Sequence, residues 1–398
     1  MNKASITDYK YIEGVRVLLR EDFNVPVNKN GVISDDKKLI EALPTINYLR
    51  EKGAKIIILS HLGRPKGKPS PEFTLEPVVE RLKELLDMPI LFEKELFSEH
   101  MHKMLRTMKN GDVMVVENIR FHKEEEENDE QFAKKLADLA DIYCNDAFGT
   151  AHRKHASVAA VTKYIPSYCG ILMAKEVDIF SKFMQNPQSP VTICLGGSKV
   201  SDKIKLISNL IDKVDCILIG GAMAYTFLAA QGYNVGVSKI DESKIEYAKL
   251  LLEKAHNKQV KICLPVDHLV SKEFSFLAEY DICSTERFPM DGMGMDIGPK
   301  TIKLYSKIIS QSKTVYWNGP MGVFEYKRFS KGTRAVAKAM AINKHQMIVG
   351  GGDSASAVRN FGLEKEFYFV STGGGASLAM LEGSELPGIV NLKDKEEE

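Results

Sequence analysis

Short β-branched runs recur along this chain, and amphipathic stretches separate them. VRVLL (15–19), KIIIL (55–59), DVMVV (112–116) and DIYC (141–144) come first. After residue 190 the pattern restarts with VTICL, CILIG, VKICLPV, TVYW, QMIVG and FYFVS. Apolar runs without alternation mark strands buried on both faces. Between them, LIEALPTINYLREKG and DEQFAKKLADLA place apolar residues three and four apart, as a helix with one buried stripe requires. The pattern restricts the chain to an α/β class, with mostly parallel sheets and helices on both faces. At about 150 residues per domain, 398 residues leave room for two such layered structures.

The two halves differ in the residues placed just after each strand. In the first, the strand ends carry charged and polar side chains: REDFN, SHLGRP, ENIRFH and NDAFGTAHR. In the second they carry glycines that open helices: GGSKVSDKI, GGAMAYTF, NGPMGVFE, GGGDSASA and TGGGASLAM. Ligands of open α/β sheets bind beyond the carboxyl ends of the strands. Two sites are therefore expected, one built from side-chain charge and one from backbone.

Overall charge narrows the partners. Lys and Arg total 54 against 53 Asp and Glu, a formal net charge of +1. That balance argues against a generic nucleic-acid binder. No apolar run approaches about 18 residues, the length that spans a membrane, and the opening MNKASITDYKYIEG lacks a signal-peptide core. Six cysteines, with no CxxC pair, suit buried thiols in a reducing compartment. The expectation is a cytoplasmic enzyme with no nucleic-acid or membrane partner. The acidic run KEEEEND (123–129) reads as a solvated turn or helix start, and the terminal DKEEE as a frayed tail. Within the neutral total, arginine is uneven: 12 residues against 42 lysines, eight of them before residue 154 and none from 154 to 286. This is either a lysine-rich codon bias with a few leftover arginines or a need for arginine's planar fork on carboxylate or phosphate, and position decides between them.

A glycine-rich helix start offers free N–H groups and a positive dipole end, which suits a phosphate. Gly351, Gly352, Asp353 and Ser354 add a carboxylate and a hydroxyl where a phosphate-bound Mg²⁺ needs oxygen ligands; Asp353 could equally serve as a helix cap. Lys199 and Lys203 lie four apart at a helix start, where only an anion would offset their opposition to the dipole. GxxxxGK[ST] is absent, which excludes a Walker-type NTPase, and the protein-kinase motifs are absent too. Gly350, Gly352 and Ala355 match GxGxxA, but the next strand ends in Ser371 and Thr372, with no acid for a ribose. A nicotinamide dehydrogenase is disfavoured.

In order along the chain, REDFNVP, SHLGRP, ENIRFH, NDAFGTAHR, GGSKVSDKI, LPVDH, DIGPKT, WNGPMGVFE, GGGDSAS and STGGGAS resemble the phosphoglycerate kinase family over nearly the whole length. The resemblance implies two Rossmann-like lobes joined by a helix across a cleft. Residues 1–172 would be the 3-phosphoglycerate lobe, 173–190 the connecting helix, 191–378 the nucleotide lobe, and 379–398 a segment returning to the first lobe. It implies reversible phosphoryl transfer from MgATP to the carboxylate of 3-phosphoglycerate, a glycolytic step, by a monomer. Asp22 and Asn24, with Phe23, Leu62 and Gly63 in the same motifs, would hold the glycerate, while His61, Arg64, Arg120 and Arg153 would take its phosphate. Lys199 would meet the phosphoryl in flight, and Gly373 and Gly374 would give it N–H groups. Lys203, Asp353, Ser354, Gly351 and Gly352 would handle phosphates, with Asp353 on Mg²⁺. Gly197, Gly221, Gly294, Asn318, Pro320 and Val323 would line the nucleotide site, with Glu325 on the ribose and Trp317 packed behind the adenosine. Asn145 and Asp146 read as turn-fixing.

Several positions depart from the family pattern. Lys38 stands where an arginine is usual, at the residue expected to bridge toward the migrating group. Lysine keeps the charge and loses the bidentate fork, so reduced turnover is expected, and a nucleotide-binding protein of this fold with little turnover is the alternative reading. Glu21 replaces an apolar residue, and a buried carboxylate there would need a partner such as a lysine. Ser198, Ala222 and Ala379 replace the usual alanine, glycine and glutamate, and the aromatic residue usual before MG in the DIGP segment is missing.

Overall fold

The computed structural model describes residues 2–198 and 200–396. The chain divides into two compact units: the residues up to Ser181 together with those from Glu385, and Lys182–Ser384. The helix Ile171–Gln185 runs through the division.

The first unit holds β1 (Arg16–Arg20), β2 (Lys55–Leu59), β3 (Leu91–Glu93), β4 (Val113–Val116), β5 (Ile142–Asn145) and β6 (Ser167–Cys169). They pair in the order β3-β4-β2-β1-β5-β6, every pair parallel. Alternate residues serve opposite faces. Val17, Leu19, Ile56, Ile58, Val113 and Val115 join one core with the apolar stripes of the helices Lys37–Glu51 and Glu76–Leu86. Leu18, Ile57, Leu59, Met114 and Tyr143 point the other way and are buried as well. Burial on both faces is what makes the strands read as unbroken apolar runs.

The second unit holds β7 (Val191–Leu195), β8 (Cys216–Ile219), β9 (Lys261–Cys263), β10 (Asp267–Ser271), β11 (Asp281–Ser284), β12 (Met293–Ile297), β13 (Thr314–Asn318), β14 (Gln346–Gly350) and β15 (Phe369–Val370). Six form a second parallel sheet, β15-β14-β13-β7-β8-β9, and three an antiparallel sheet, β11-β10-β12. Trp317 is fully buried in β13 with its indole N–H on the Gly319 carbonyl at 2.7 Å. The cysteines are free thiols, five buried and Cys283 half-buried. No helix is long and apolar enough to cross a membrane among the described residues.

The small antiparallel sheet is absent from the sequence expectation, as are β3 and β6. DHLVS, DICS and MGMDI mix charge with apolar residues, and β3 and β6 are three residues each. The acidic run also differs from expectation. It forms the short helix Lys123–Glu126, but Glu125 turns inward and is fully buried, accepting from the Ser157 backbone and hydroxyl.

The segment from Glu385 is tied to the first unit by hydrogen bonds. Lys393 N–H donates to Ser167, Ala4 N–H to Lys393, and the Asn145 side-chain amide to the Gly388 carbonyl at 2.9 Å. Asn145 also accepts the Ala147 N–H, so one buried amide fixes both the turn after β5 and the returning segment. Asn145→Ala leaves a buried donor and a buried acceptor unpaired, which costs about 1–3 kcal/mol. The expected result is a lower Tm with faster proteolytic release of the C-terminal segment; unchanged unfolding would show that the segment is anchored elsewhere.

Candidate functional site

In the first unit the polar side chains gather where β1, β2, β4 and β5 end. Immediately after β1, Asp22 forms an ion pair with Lys38 at 2.8 Å, reached from the first turn of the helix Lys37–Glu51. Asn24 accepts the Gly63 N–H at 2.9 Å, and the Gly63 carbonyl accepts from Arg120 at 2.8 Å. Gly63 has φ +62°, and a Cβ there would lie 2.3 Å from the Phe73 ring, so only glycine fits between these partners. Phe23 is buried with its N–H on the Ser60 hydroxyl, and the Leu62 carbonyl accepts from Asn118. His61 is buried beside the Arg20 guanidinium.

Positive charge is concentrated here, and apart from the Glu126 carboxylate 3.7 Å from the Arg120 Nε its buried donors are poorly met. The Nε and Nη2 of Arg120, the Nε of Arg153 and the Nδ1 of His152 are buried with no hydrogen-bond partner. Burial, followed by the charges of Arg153 and Arg20, pushes the Arg120 guanidinium down to about 10. Arg64 is exposed and has no protein partner among the described residues. Buried donors left unpaired are costly, and a group with several anionic oxygens would satisfy them.

Two sequence expectations are settled by the carboxylates nearby. Glu21 is buried without a lysine partner: its Oε1 bonds to nothing, and burial, then the neighbouring Asp146, pushes its carboxyl well up. Lys38 pairs with the neighbouring Asp22. Asn145 and Asp146 are occupied by structure. The Asp146 carboxylate accepts the Thr45 hydroxyl and the Met173 N–H, and burial still raises it to about 6.

In the second unit, backbone dominates. A cavity of about 490 Å³ is lined by Gly197, Gly221, Gly294, Pro320, Val323, Glu325 and Asp353 among the expected residues, and by Ser198 and Ala222. Gly294 is required by close approach, since a Cβ there would lie 1.8 Å from the Tyr225 hydroxyl. Other expected residues stand behind the lining. Lys203 donates to the Asn318 side chain, the Ser354 hydroxyl accepts the Gly319 N–H at 2.6 Å, and Gly351 packs on Asn318. Gly352 opens the helix Gly352–Asn360. Gly373 gives its N–H to the Ser371 hydroxyl, and Gly374 has φ +47°; neither lines the cavity. Lys199 lies outside the described residues.

Tyr225, Lys239, Phe274, Met293, Met295 and Asp296 also line this cavity, and none was singled out from sequence. Four of them come from β12 and the loop after β10, in the antiparallel sheet, where Gly294 alone of the lining was expected from sequence. Asp296 accepts the Gly332 and Ile297 N–H groups, and burial nonetheless raises its carboxyl to about 7.

The Asp22–Lys38 pair makes a titration prediction. Burial works to raise the Asp22 carboxyl, but the Lys38 ammonium, helped by His61 and Arg20, outweighs it and holds the group at about 2. A depressed carboxylate contributes stability that is present above its unfolded value near 4 and lost as pH falls toward 2. Lys38→Met therefore raises the Asp22 pKa well above 2 in side-chain carboxyl NMR, because only His61 and Arg20 then oppose burial. Its stability deficit at neutral pH closes as pH falls below about 4. An Asp22 pKa that stays near 2 would refute this assignment.

Comparison with known proteins matches this geometry to one family. Residues 6–384 match the family model described as phosphoglycerate kinase. Proteins named phosphoglycerate kinase from Clostridium tetani and Dictyoglomus turgidum are each 52% identical, covering 99% of this chain and 98% and 100% of their own lengths. Among solved structures, phosphoglycerate kinase from Coxiella burnetii superposes with a TM-score of 0.89 at 42% identity, covering 98% of both chains. That from Pyrococcus horikoshii gives 0.83 at 31% identity, again over 98% of both chains. Two parallel six-stranded sheets, a charged pocket on one and a glycine-lined cavity on the other thus occur in a chain that belongs to the phosphoglycerate kinase family.

Proposed function

We propose a division of labour by which this chain carries out its family's glycolytic reaction, the reversible transfer of a phosphoryl group between ATP and the carboxylate of 3-phosphoglycerate. The acceptor is itself a carboxylate, ionised at neutral pH, so no general base is needed. Catalysis then consists of alignment and neutralisation of charge on the transferring group.

The first unit takes 3-phosphoglycerate. Arg64, Arg120 and Arg153, with His61, receive its phosphate, while Asp22 and Asn24, beside Phe23, Leu62 and Gly63, hold the hydroxyl and carboxylate end. The observation that carries this reading is the set of buried guanidinium N–H groups on Arg120 and Arg153 with no protein acceptor. The second unit takes the nucleotide in the cavity lined by Gly197, Gly221, Gly294, Pro320 and Val323, backed by Asn318, with Glu325 on the ribose hydroxyls. Lys203, Ser354, Gly351 and Gly352 serve the phosphates, and Lys199, Gly373 and Gly374 the phosphoryl in transit. Both sets of residues belong to one chain, so we take the working unit to be a monomer, in the cytoplasm.

Asp353 is suited to a nucleotide-borne Mg²⁺. Its exposed carboxylate lines the cavity and has no ion pair among the described residues. Mg²⁺ is usually held by one or two carboxylates together with substrate phosphates and waters, and it supplies charge neutralisation of those phosphates. No group of three or more metal-binding side chains is found among the described residues, and a metal carried by the nucleotide requires none.

A coupled assay with 3-phosphoglycerate and MgATP tests the reading, with ADP formed only when both substrates are present. Nucleotide binding without product would favour the low-turnover alternative. Arg153→Ala is expected to raise KM for 3-phosphoglycerate about 10- to 100-fold, the loss of hydrogen bonds to a charged group, with KM for ATP unchanged. An equal rise in both KM values would remove Arg153 from the phosphate pocket. Lys38→Arg is expected to raise kcat, because a guanidinium can keep Asp22 and still present a second N–H edge to the migrating group. Equal rates would show that the lysine is no defect.

A further inference from the structure

The buried Glu125 has a task that the division of labour above leaves unassigned. Its Oε1 accepts the Ser157 hydroxyl at 2.7 Å and its Oε2 the Ser157 N–H at 2.8 Å. The same hydroxyl accepts the Arg20 Nε–H at 2.9 Å. Ser157 has one proton to give, and the carboxylate takes it, so the oxygen is committed to receive from Arg20. The guanidinium is then fixed at three points. Nε is on Ser157, Nη1 is on the Glu21 carbonyl, and Nη2 lies 3.4 Å from the His61 Nδ1. Arg20, Glu125, Ser157 and His61 are all buried, none more than 1% exposed, so water does not compete for these contacts.

Arginine is a donor only. Whatever faces Nη2 must accept, and a proton on Nδ1 of His61 would set N–H against N–H. The ring proton is therefore placed on Nε2, which no described residue takes. We propose that Glu125, acting through Ser157 and Arg20, is a positioning residue that holds His61 as the neutral Nε2–H tautomer, so that the imidazole meets 3-phosphoglycerate as a hydrogen-bond donor and not as a cation. The proposal rests on the placement of His61 in the substrate pocket. It divides that pocket between two kinds of group: arginines that bring charge, and a histidine that brings one directed N–H.

The charged surroundings agree. Burial comes first in holding the imidazole well below its ordinary value. Arg20, Arg120 and Lys38 act in the same direction, and Asp22 alone opposes them. The carboxylate at the far end of the relay makes it directional. Glu125 is itself raised by burial and lowered in turn by Arg20 and by its bonds to Ser157.

Long-range ¹H–¹⁵N correlation spectra of the full chain, labelled at histidine, read the tautomer directly between pH 6 and 8. The expected spectrum shows His61 with a protonated Nε2, an unprotonated Nδ1 and no titration. Protonated Nδ1, or a ring that becomes cationic in this range, would overturn the proposal even if no variant folds. Ser157→Ala is expected to mix the tautomers and raise KM for 3-phosphoglycerate about ten-fold, one charged hydrogen bond's worth, with KM for ATP unchanged. Ser157→Thr, which keeps the hydroxyl, is expected to restore both. A Ser157→Ala variant that is folded by circular dichroism and keeps the wild-type His61 spectrum would remove the relay. Adding 3-phosphoglycerate separates the two claims: the Nε2 resonance shifts if His61 meets substrate. A fixed tautomer that ignores saturating substrate would overturn its place in the pocket and leave only the relay.

Discussion

Strands buried on both faces have no side chain to spare for chemistry. That constraint organises both units. Leu18 and Leu19 are adjacent, face opposite ways and are both inaccessible, as are Ile57 and Ile58. Polar groups can enter only where a strand stops, so the candidate ligand-holding residues are the first few after each carboxyl end. Asp22 follows β1, His61 follows β2, Arg120 follows β4, and Gly197, Gly221 and Gly351 follow β7, β8 and β14.

The two units meet the constraint with different materials. The first brings long side chains back over the strand ends and accepts the cost of burying charge. Arg120 is driven down to about 10 by burial and by its cationic neighbours. Glu125 is a fully buried carboxylate bonded into this cluster through Ser157, and Glu126 forms an ion pair with Arg120 from the same short helix. Even with Glu126 lying 3.7 Å from the Arg120 Nε, buried N–H groups on Arg120 and Arg153 have no hydrogen-bond partner, which an anion would supply. The second unit places backbone at the strand ends, with little fixed charge to balance. Its specificity comes from close approach, as at Gly294 against Tyr225.

This difference decided what the sequence could reveal. Buried parallel strands announce themselves as apolar runs, and the six-stranded sheets were legible for that reason, except for the short β3 and β6. The arginines and the glycine loops were legible because few other roles explain their positions. β10, β11 and β12 were not, since strands such as DHLVS and MGMDI carry polar residues that blur the period. With them went Phe274, Met293, Met295 and Asp296, the cavity wall they supply. Glu125 was hidden by its neighbours: in KEEEEND, composition predicts solvation for every glutamate. Only packing distinguishes the one whose side chain turns inward to Ser157. Glu21 failed in the opposite sense, because a buried acid was expected to find a base and instead has its carboxyl pushed up by burial and by Asp146.

The two forms of recognition also differ in how they tolerate change. A backbone-lined cavity depends on conformations such as φ +64° at Gly221. Most side-chain substitutions around it leave those N–H groups in place, and Ser198 and Ala222 stand in the lining. A side-chain pocket has no such reserve. Each donor is the terminus of a chain of contacts: Lys38 is committed to Asp22, Arg120 to Gly63, and Arg20 to Ser157 and Glu21. Under the proposed function, replacing a fork by a point charge at Lys38 changes more than one contact, because the ammonium already holds the Asp22 carboxylate. Divergence within this fold should thus be felt first in the handling of the phosphorylated acid and last in the grip on the nucleotide.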